Sequence, residues 1–148
     1  MTINTESHPN GAIIVAINAK WKPIFETNQP SSIIRRRVPS RNVSSLYFYF
    51  NTPISAICAK CTVLSVKPVS LQRAISAKNE LMMTKVDIEQ YFGNRSSLWV
   101  YNFTALLYSN VKIGSNDPSA PILYNPPQNF QWIDTETCQL IDNYLFGE

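Results

Sequence analysis

Two neighbouring segments, SLYFYF at residues 45–50 and ISAICAKCTVLSV at residues 54–66, decide the fold of this chain. Aromatic and β-branched residues dominate both segments, which is typical of β-strands. Between them, Asn51, Thr52 and Pro53 supply the residue types of a tight turn. The sequence therefore predicts that these two segments form an antiparallel pair of strands.

Upstream of this pair, two further strands are predicted with a short helix between them. The apolar run AIIVAI at residues 12–17 is typical of a strand that is covered on both faces. Asn18 is suited to cap a helix that ends near residue 28. The segment SSIIRRRV at residues 31–38 predicts a strand whose pleat places Arg35 and Arg37 on one face, with Arg36 on the other.

Downstream, the pattern alternates between capped helices and strands. Ser70 and Thr84 are predicted helix caps, and Leu140, Ile141, Tyr144 and Leu145 are the predicted inward residues of a terminal helix. The predicted elements are helices at residues 71–78, 85–92 and 135–146, a strand at 98–111 with a bulge near 105–107, a loop at 114–129 and a strand at 130–133. This order predicts the α+β class, with a small, strongly curved sheet or barrel flanked by short helices.

Length and composition predict one compact domain. The chain has 148 residues, of which 45% are hydrophobic, and this size is sufficient to bury a core without metals or disulfides. Residues 1–11 are predicted to be a flexible tail and residues 12–148 a single domain. The longest apolar stretch has only six residues, and the N-terminus does not resemble a secretory signal, so no membrane association and a cytoplasmic location are expected.

The three cysteines predict structural thiols. An odd number favours a reducing compartment. Cys58 and Cys61 form a C-x-x-C pattern, but they lie in a predicted strand, where positions three apart face opposite sides, and His8 is the only histidine. Neither a metal site, a cofactor nor a catalytic triad is therefore expected, and the absence of a glycine-rich phosphate loop disfavours nucleotide hydrolysis.

Charge is distributed unevenly along the chain, although the net charge is only +3. Residues 20–95 contain twelve basic and four acidic residues, a net charge of +8, whereas residues 96–148 carry −4. Arg35, Arg36 and Arg37 are the most distinctive polar feature, since guanidinium groups bind phosphate and base edges. Lys20, Lys22 and Arg41 add positive charge, and Trp21, Tyr47 and Tyr49 are predicted stacking residues. Together with the arginines they predict a platform for a nucleobase or an oligonucleotide; a charged edge strand that prevents aggregation is the alternative.

Several motifs in order along the chain resemble the ASCH domains of the PUA-like superfamily. Lys20-Trp21 and the segment IRRR at residues 34–37 resemble the opening of that domain. YFNTPISAI at residues 49–57 is similar to its Y-x-[ST]-P-x-x-x-I hairpin, and EQYFG at residues 89–93 is similar to its E-x-Y-F-x-G helix end. PPQNFQW at residues 126–132 resembles P-P-Q-S-F-R-[YF] in one subgroup. The resemblance spans roughly residues 12–133.

This resemblance implies a β-barrel with helices around it and a cleft that binds RNA or a modified nucleoside. Some ASCH relatives hydrolyse acetylated cytidine with a lysine and a threonine from a K-T-x-T stretch, plus a glutamate, and others cut RNA. Here Pro30 stands at the position of that lysine and Ile33 at the second threonine, and only Ser31 remains at the first. The amidohydrolase reaction therefore lacks its residues, and no catalytic residue is predicted.

The leading hypothesis is a non-catalytic module that binds RNA or a nucleotide in a basic, aromatic-lined cleft. Its predicted ligand-binding residues are Lys20, Trp21, Arg35, Arg36, Arg37, Thr52, Gln128 and Trp132. One alternative is a hydrolase of RNA or modified nucleosides with a divergent site built from Lys22, Ser31 and Tyr49. A second alternative is a protein-interaction domain, with a protein partner bound at the proline-rich loop of residues 116–128.

Overall fold

The computed structural model describes residues 11–27, 30–38, 42–115, 117–128 and 130–147. The strands are β1 (Gly11–Ile17), β2 (Ser32–Arg35), β3 (Val43–Phe50), β4 (Ala56–Ser70), β5 (Ser97–Gly114) and β6 (Phe130–Ile133). A 3₁₀ turn covers Ala19–Trp21, and the α-helices are α1 (Lys22–Glu26), α2 (Leu71–Ser76), α3 (Lys78–Leu81), α4 (Lys85–Phe92) and α5 (Thr135–Phe146). The tail predicted at residues 1–11 lies outside the described residues except for Gly11, which begins β1.

The six strands form one mixed sheet in the order β2-β5-β4-β3-β1-β6. The predicted β3–β4 hairpin is confirmed as an antiparallel pair, and β1 lies parallel to β3 on its other side. The register between β4 and β5 shifts at three places, and Ala105 has a positive φ of 55° at one of them. Because bulges of this kind bend and twist a strand, the two longest strands give the sheet its strong curvature.

The predicted closure of this sheet into a barrel is wrong. Within the described ranges, β2 pairs only with β5, and β6 pairs only with β1. Each of these edge strands has four residues. A cavity lined by side chains from β1, β2 and β6 lies between them, so the edges are separated by open space rather than joined by hydrogen bonds.

The helix caps match the sequence predictions. Asn18 accepts a hydrogen bond from the Lys20 N–H at 2.9 Å. The side chains of Ser70 and Thr84 accept from backbone N–H groups at the starts of α2 and α4. α4 and α5 have the predicted bounds, but only Ile141 and Leu145 of the predicted inward residues of α5 are buried. Leu140 and Tyr144 are exposed, because α5 buries a narrower face against the sheet than the apolar pattern indicates.

The described residues form three hydrophobic cores, the third of which packs α2, α3 and α4 against β2 through Ile34. The first two occupy opposite faces of the sheet, and the alternation of β1 divides its side chains between them. Ile13, Val15 and Ile17 belong to the first core, and the intervening residues belong to the second, which α5 covers. Cys58 and Cys61 are buried thiols, as predicted, but both belong to the first core instead of facing opposite sides. A shift in the β3–β4 register at Cys58 changes the alternation between the two cysteines.

Candidate functional site

A single basic cleft lies between the β2 edge and the β1–β6 edge of the sheet. It consists of one cavity of about 350 Å³ and another of about 450 Å³. Ile17, Asn18, Arg35, Arg36 and Tyr91 line both cavities, so the two cavities are adjacent compartments of the cleft. The smaller cavity is named the inner compartment, and Trp21 and Asp87 are among the residues that line it. The larger cavity is named the outer compartment, and Arg37 and Gln128 are among the residues that line it.

The structure corrects the predicted arrangement of the arginine triplet. β2 ends at Arg35, its fourth residue, so the strand pleat does not orient Arg36 and Arg37. The Tyr101 hydroxyl donates to the Arg37 backbone carbonyl at 3.0 Å and holds the chain after the strand. The three arginines nevertheless line the same cleft, Arg35 and Arg36 in both compartments and Arg37 in the outer one.

Arg36 forms a fixed wall of the cleft. Its Nη2 donates to the Tyr91 backbone carbonyl at 2.9 Å, and its guanidinium lies 4.2 Å from the centre of the Tyr91 ring. Tyr91 lies in the last turn of α4, where a cation also complements the helix dipole. The hydrogen bond and the ring contact therefore hold α4 against the end of β2.

Arg35 and Arg37 leave their charge unpaired within the part of the chain that the structure describes. Neither side chain forms a hydrogen bond or an ion pair there. Arg35 is half-buried and Arg37 is exposed. Burial raises the pKa of the nearby Tyr101 to about 12, while the positive charge of Arg35 opposes this rise. The hydroxyl of Tyr101 is therefore neutral at physiological pH, and the positive charge of the outer compartment is not offset by a phenolate.

The turn that follows β1 brings Lys20 and Trp21 to the inner compartment. The Asn18 cap shapes this turn, and Phe25 of α1 anchors it by packing edge-to-face on Phe48, with ring centroids 4.7 Å apart. Trp21 is half-buried against the first core, so one part of the indole is fixed while another part lines the cavity. Lys20 is exposed at the same wall.

Two of the eight predicted ligand-binding residues are not among the residues that line this cleft. Thr52 is exposed in the turn after β3. Trp132 packs against the first core and over Gly11, where a Cβ atom would lie 2.5 Å from the Trp132 ring atom Cζ3. The remaining six predicted residues are brought together, and Gln128 reaches the outer compartment from the C-terminal half of the chain.

Sequence reasoning missed the wall that α4 contributes to the inner compartment. Asp87, Gln90 and Tyr91 line it, and none of the three is among the predicted ligand-binding residues. Asn18 also lines both compartments in addition to its role as a cap. The spacing of residues 87, 90 and 91 places them on one side of a helix, which is the only signal in the sequence that relates them.

The residues of the hydrolase alternative do not gather in the cleft. The Lys22 Nζ is paired with the Glu26 Oε2 at 2.7 Å, and this contact holds the pKa of Lys22 above its usual range. Tyr49 is buried in the second core, where its ring meets that of Tyr124 at 5.9 Å. Ser31 is exposed and lines neither compartment.

No metal cluster or membrane-spanning helix occurs in the described ranges. These ranges contain no group of three or more His, Cys, Asp or Glu residues that is placed to hold a metal ion. Their helices are also too short or too polar to cross a bilayer.

Comparison with solved structures identifies the fold. No protein-family model matches the sequence, and no curated protein matches it at a significant level. The crystal structure of ASCH from Zymomonas mobilis superposes with a TM-score of 0.78 and 13% identity, covering 88% of this chain and 93% of that one. A serine-to-alanine mutant and a tyrosine-to-phenylalanine mutant of ZmASCH from the same organism each give a TM-score of 0.77 and 13% identity. Both cover 88% of this chain, and 94% and 96% of their own chains respectively.

The architecture is therefore that of an α+β protein with a strongly curved mixed sheet and an open cleft between its edge strands. More specifically, the chain has the fold of an ASCH domain, as the motif resemblance predicts. Three of the matching motifs occupy defined places in this fold. YFNTPISAI spans the turn between β3 and β4, EQYFG ends α4 beside the cleft, and PPQNFQW leads from the outer compartment into β6.

Proposed function

We propose that this protein is a non-catalytic module that binds a nucleotide or single-stranded RNA in the basic cleft. The observation that carries this proposal is a pair of guanidinium groups, those of Arg35 and Arg37, which have no hydrogen-bond or ion-pair partner among the described residues and lie in a cleft that Trp21 also lines. Guanidinium groups bind phosphate oxygens in a bidentate geometry, and an indole provides a stacking surface for a base.

The size of the cleft supports a ligand of nucleotide dimensions. Each compartment falls within the range of roughly 300–1,000 Å³ that is typical of small-molecule sites. The compartments are adjacent and share five lining residues, so one nucleotide is proposed to place its base in one compartment and its phosphate in the other. Gln128 at the outer compartment adds an amide donor and acceptor for a sugar or a second nucleotide.

Two substitutions at the positions of the family's hydrolytic residues support the non-catalytic part of the proposal. Pro30 and Ile33 are both buried, and neither carries a nucleophilic or basic side chain. The polar groups that line the cleft are guanidinium, ammonium, amide, phenol and carboxylate groups. The protein is expected to bind RNA without shortening it.

A salt titration of RNA binding tests the proposal. Affinity for a labelled single-stranded RNA is measured by fluorescence anisotropy from low to physiological salt, for the wild type and the Arg35→Ala/Arg37→Ala variant. Loss of two phosphate contacts is expected to reduce the slope of log K against log salt by roughly 1.4, since each contact contributes about 0.7 for single strands.

The matched control is Lys78→Ala/Lys112→Ala. This variant has the same net charge as the arginine variant, and both lysines are exposed and outside the cleft lining. Equal losses in the two variants would mean that total charge, and not the cleft, binds the RNA. Shortened RNA after incubation would refute the non-catalytic assignment, and a salt-resistant protein partner at residues 117–128, captured without RNA binding, would favour the interaction-domain alternative.

A further inference from the structure

Four charged side chains are among the residues that line the inner compartment, and Asp87 is the one carboxylate beside three cationic groups. Asp87 is half-buried, and it lines the cavity together with Lys20, Arg35 and Arg36. Its carboxylate forms no hydrogen bond or ion pair with any residue in the described ranges. A ligand that presented only phosphate to this compartment would be repelled by Asp87, so the carboxylate indicates a ligand that also carries hydrogen-bond donors.

The helix dipole accounts for an acidic residue at position 87, in the first turn of α4, but it does not require that residue to line the cleft. The Asp87 backbone N–H donates a hydrogen bond to the Thr84 Oγ1 at 3.1 Å, and an acidic residue in the first turn complements the helix dipole. Glu89, two residues further along, is exposed and outside the cleft lining. α4 thus carries two acidic side chains, and only one of them lines the compartment.

Polar and apolar side chains line the inner compartment together with Asp87. Gln90 lies three residues further along α4 and lines the same compartment, where it provides an amide NH₂ donor and an amide oxygen. Trp21 and Met83 add apolar surface to the lining of the same compartment. The cationic groups of the cleft remain for the phosphate.

We propose, building on the proposed function, that the inner compartment selects guanine. Guanine is the common base whose pairing edge offers two adjacent donors, N1–H and the 2-amino group, to the two oxygens of one carboxylate. The Gln90 amide donates to the neighbouring O6. Adenine and cytosine place a ring-nitrogen acceptor beside their amino group, and uracil flanks its single N–H with two carbonyls, so each of these bases directs lone pairs at the Asp87 carboxylate.

Comparison of GMP with IMP isolates this contact, because IMP lacks only the 2-amino group. Isothermal titration calorimetry is expected to show that the wild type binds GMP at least about 10-fold more tightly than IMP, the effect of one hydrogen bond to a charged group. Asp87→Ala is expected to bring this ratio close to one. Glu89→Ala is the matched control on the same helix, and its ratio should equal that of the wild type.

The remaining measurements separate the two proposals. Asp87→Asn keeps one acceptor oxygen and replaces Asp87→Ala if the alanine variant does not fold. Its ratio of GMP affinity to IMP affinity should be lower than that of the wild type but greater than one. Guanine selection is overturned if the wild type binds GMP and IMP with equal affinity, or if it binds AMP, CMP or UMP more tightly than GMP. In that case the phosphate site is still supported if Arg35→Ala/Arg37→Ala weakens nucleotide binding. Absence of binding by all five nucleotides and by RNA overturns both proposals.

Discussion

Phe25 connects the stability of the first core to the shape of the cleft. Its ring is fully buried, and it packs edge-to-face on Phe48 at 4.7 Å and on Phe50 at 5.4 Å. Phe25→Leu keeps an apolar side chain but removes both ring pairs. Each pair contributes about 0.5–1.5 kcal/mol beyond simple burial, so the free energy of unfolding should fall by about 1–3 kcal/mol. Phe25→Ala also leaves a cavity and should cost about 3–5 kcal/mol.

Urea denaturation followed by circular dichroism measures these losses, with Phe146→Leu as the matched control. Phe146 is half-buried beside the second core and forms no ring pair in the described part of the chain, so its substitution should cost less than Phe25→Leu. Because α1 follows the turn that carries Lys20 and Trp21, Phe25→Ala should also weaken GMP binding. If Phe25→Leu costs no more stability than Phe146→Leu, the ring pairs of Phe25 do not stabilise the first core. If the leucine and alanine variants at Phe25 are equally stable, the cavity left by alanine has no cost.

Two further predictions concern buried hydroxyl groups. Burial raises the pKa of Tyr101 to about 12 in the folded protein, against about 10 in the unfolded chain. Between these pH values the folded state binds more protons than the unfolded state, so the free energy of unfolding should fall as the pH rises from 10 to 12. Urea midpoints across this range should decline less steeply for Tyr101→Phe, and an unchanged decline would contradict the assignment. Asp142 accepts from the buried Tyr47 hydroxyl at 2.8 Å and from the Lys60 Nζ at 3.0 Å. Asp142→Ala should lower the unfolding free energy by about 1–3 kcal/mol, because it removes the carboxylate that accepts from the buried Tyr47 hydroxyl and from Lys60. Lys60→Met should cost less than about 1 kcal/mol, and equal losses measured by urea denaturation would contradict this ordering.

The sequence predicted correctly those features that depend on residues close together in the chain. Asn18, Ser70 and Thr84 cap their helices as predicted, because a cap depends on a side chain and backbone groups two or three residues away. The bulge near residue 105 also occurs, with Ala105 at a positive φ, since a lapse in alternation leaves a trace in the sequence. β4 and β5 extend beyond their predicted ends, because they pair with each other along residues that carry no strong strand pattern alone.

The predictions that failed depend on partners distant in the chain. The pleat of an extended strand predicted opposite faces for Cys58 and Cys61, but a register shift against β3 placed both in one core. The arginine triplet leaves the strand after Arg35, and Arg36 instead contacts Tyr91, 55 residues away in the sequence. Neither the shift nor the contact has a signal within the segment that it affects.

The amino-acid pattern alone determined the α+β class, the order of the strands, the burial of Cys58 and Cys61 and six residues that line the cleft, but it predicted one helix at residues 71–78 where the structure has α2 and α3. Tertiary structure decided that the sheet stays open and that α4 supplies the wall containing Asp87. It also decided that Trp132 packs over Gly11, away from the cleft lining. The physical reason is the range of the interactions: alternation, capping and burial are set by near neighbours, whereas sheet closure and the lining of a cleft depend on segments that meet only after the chain has folded.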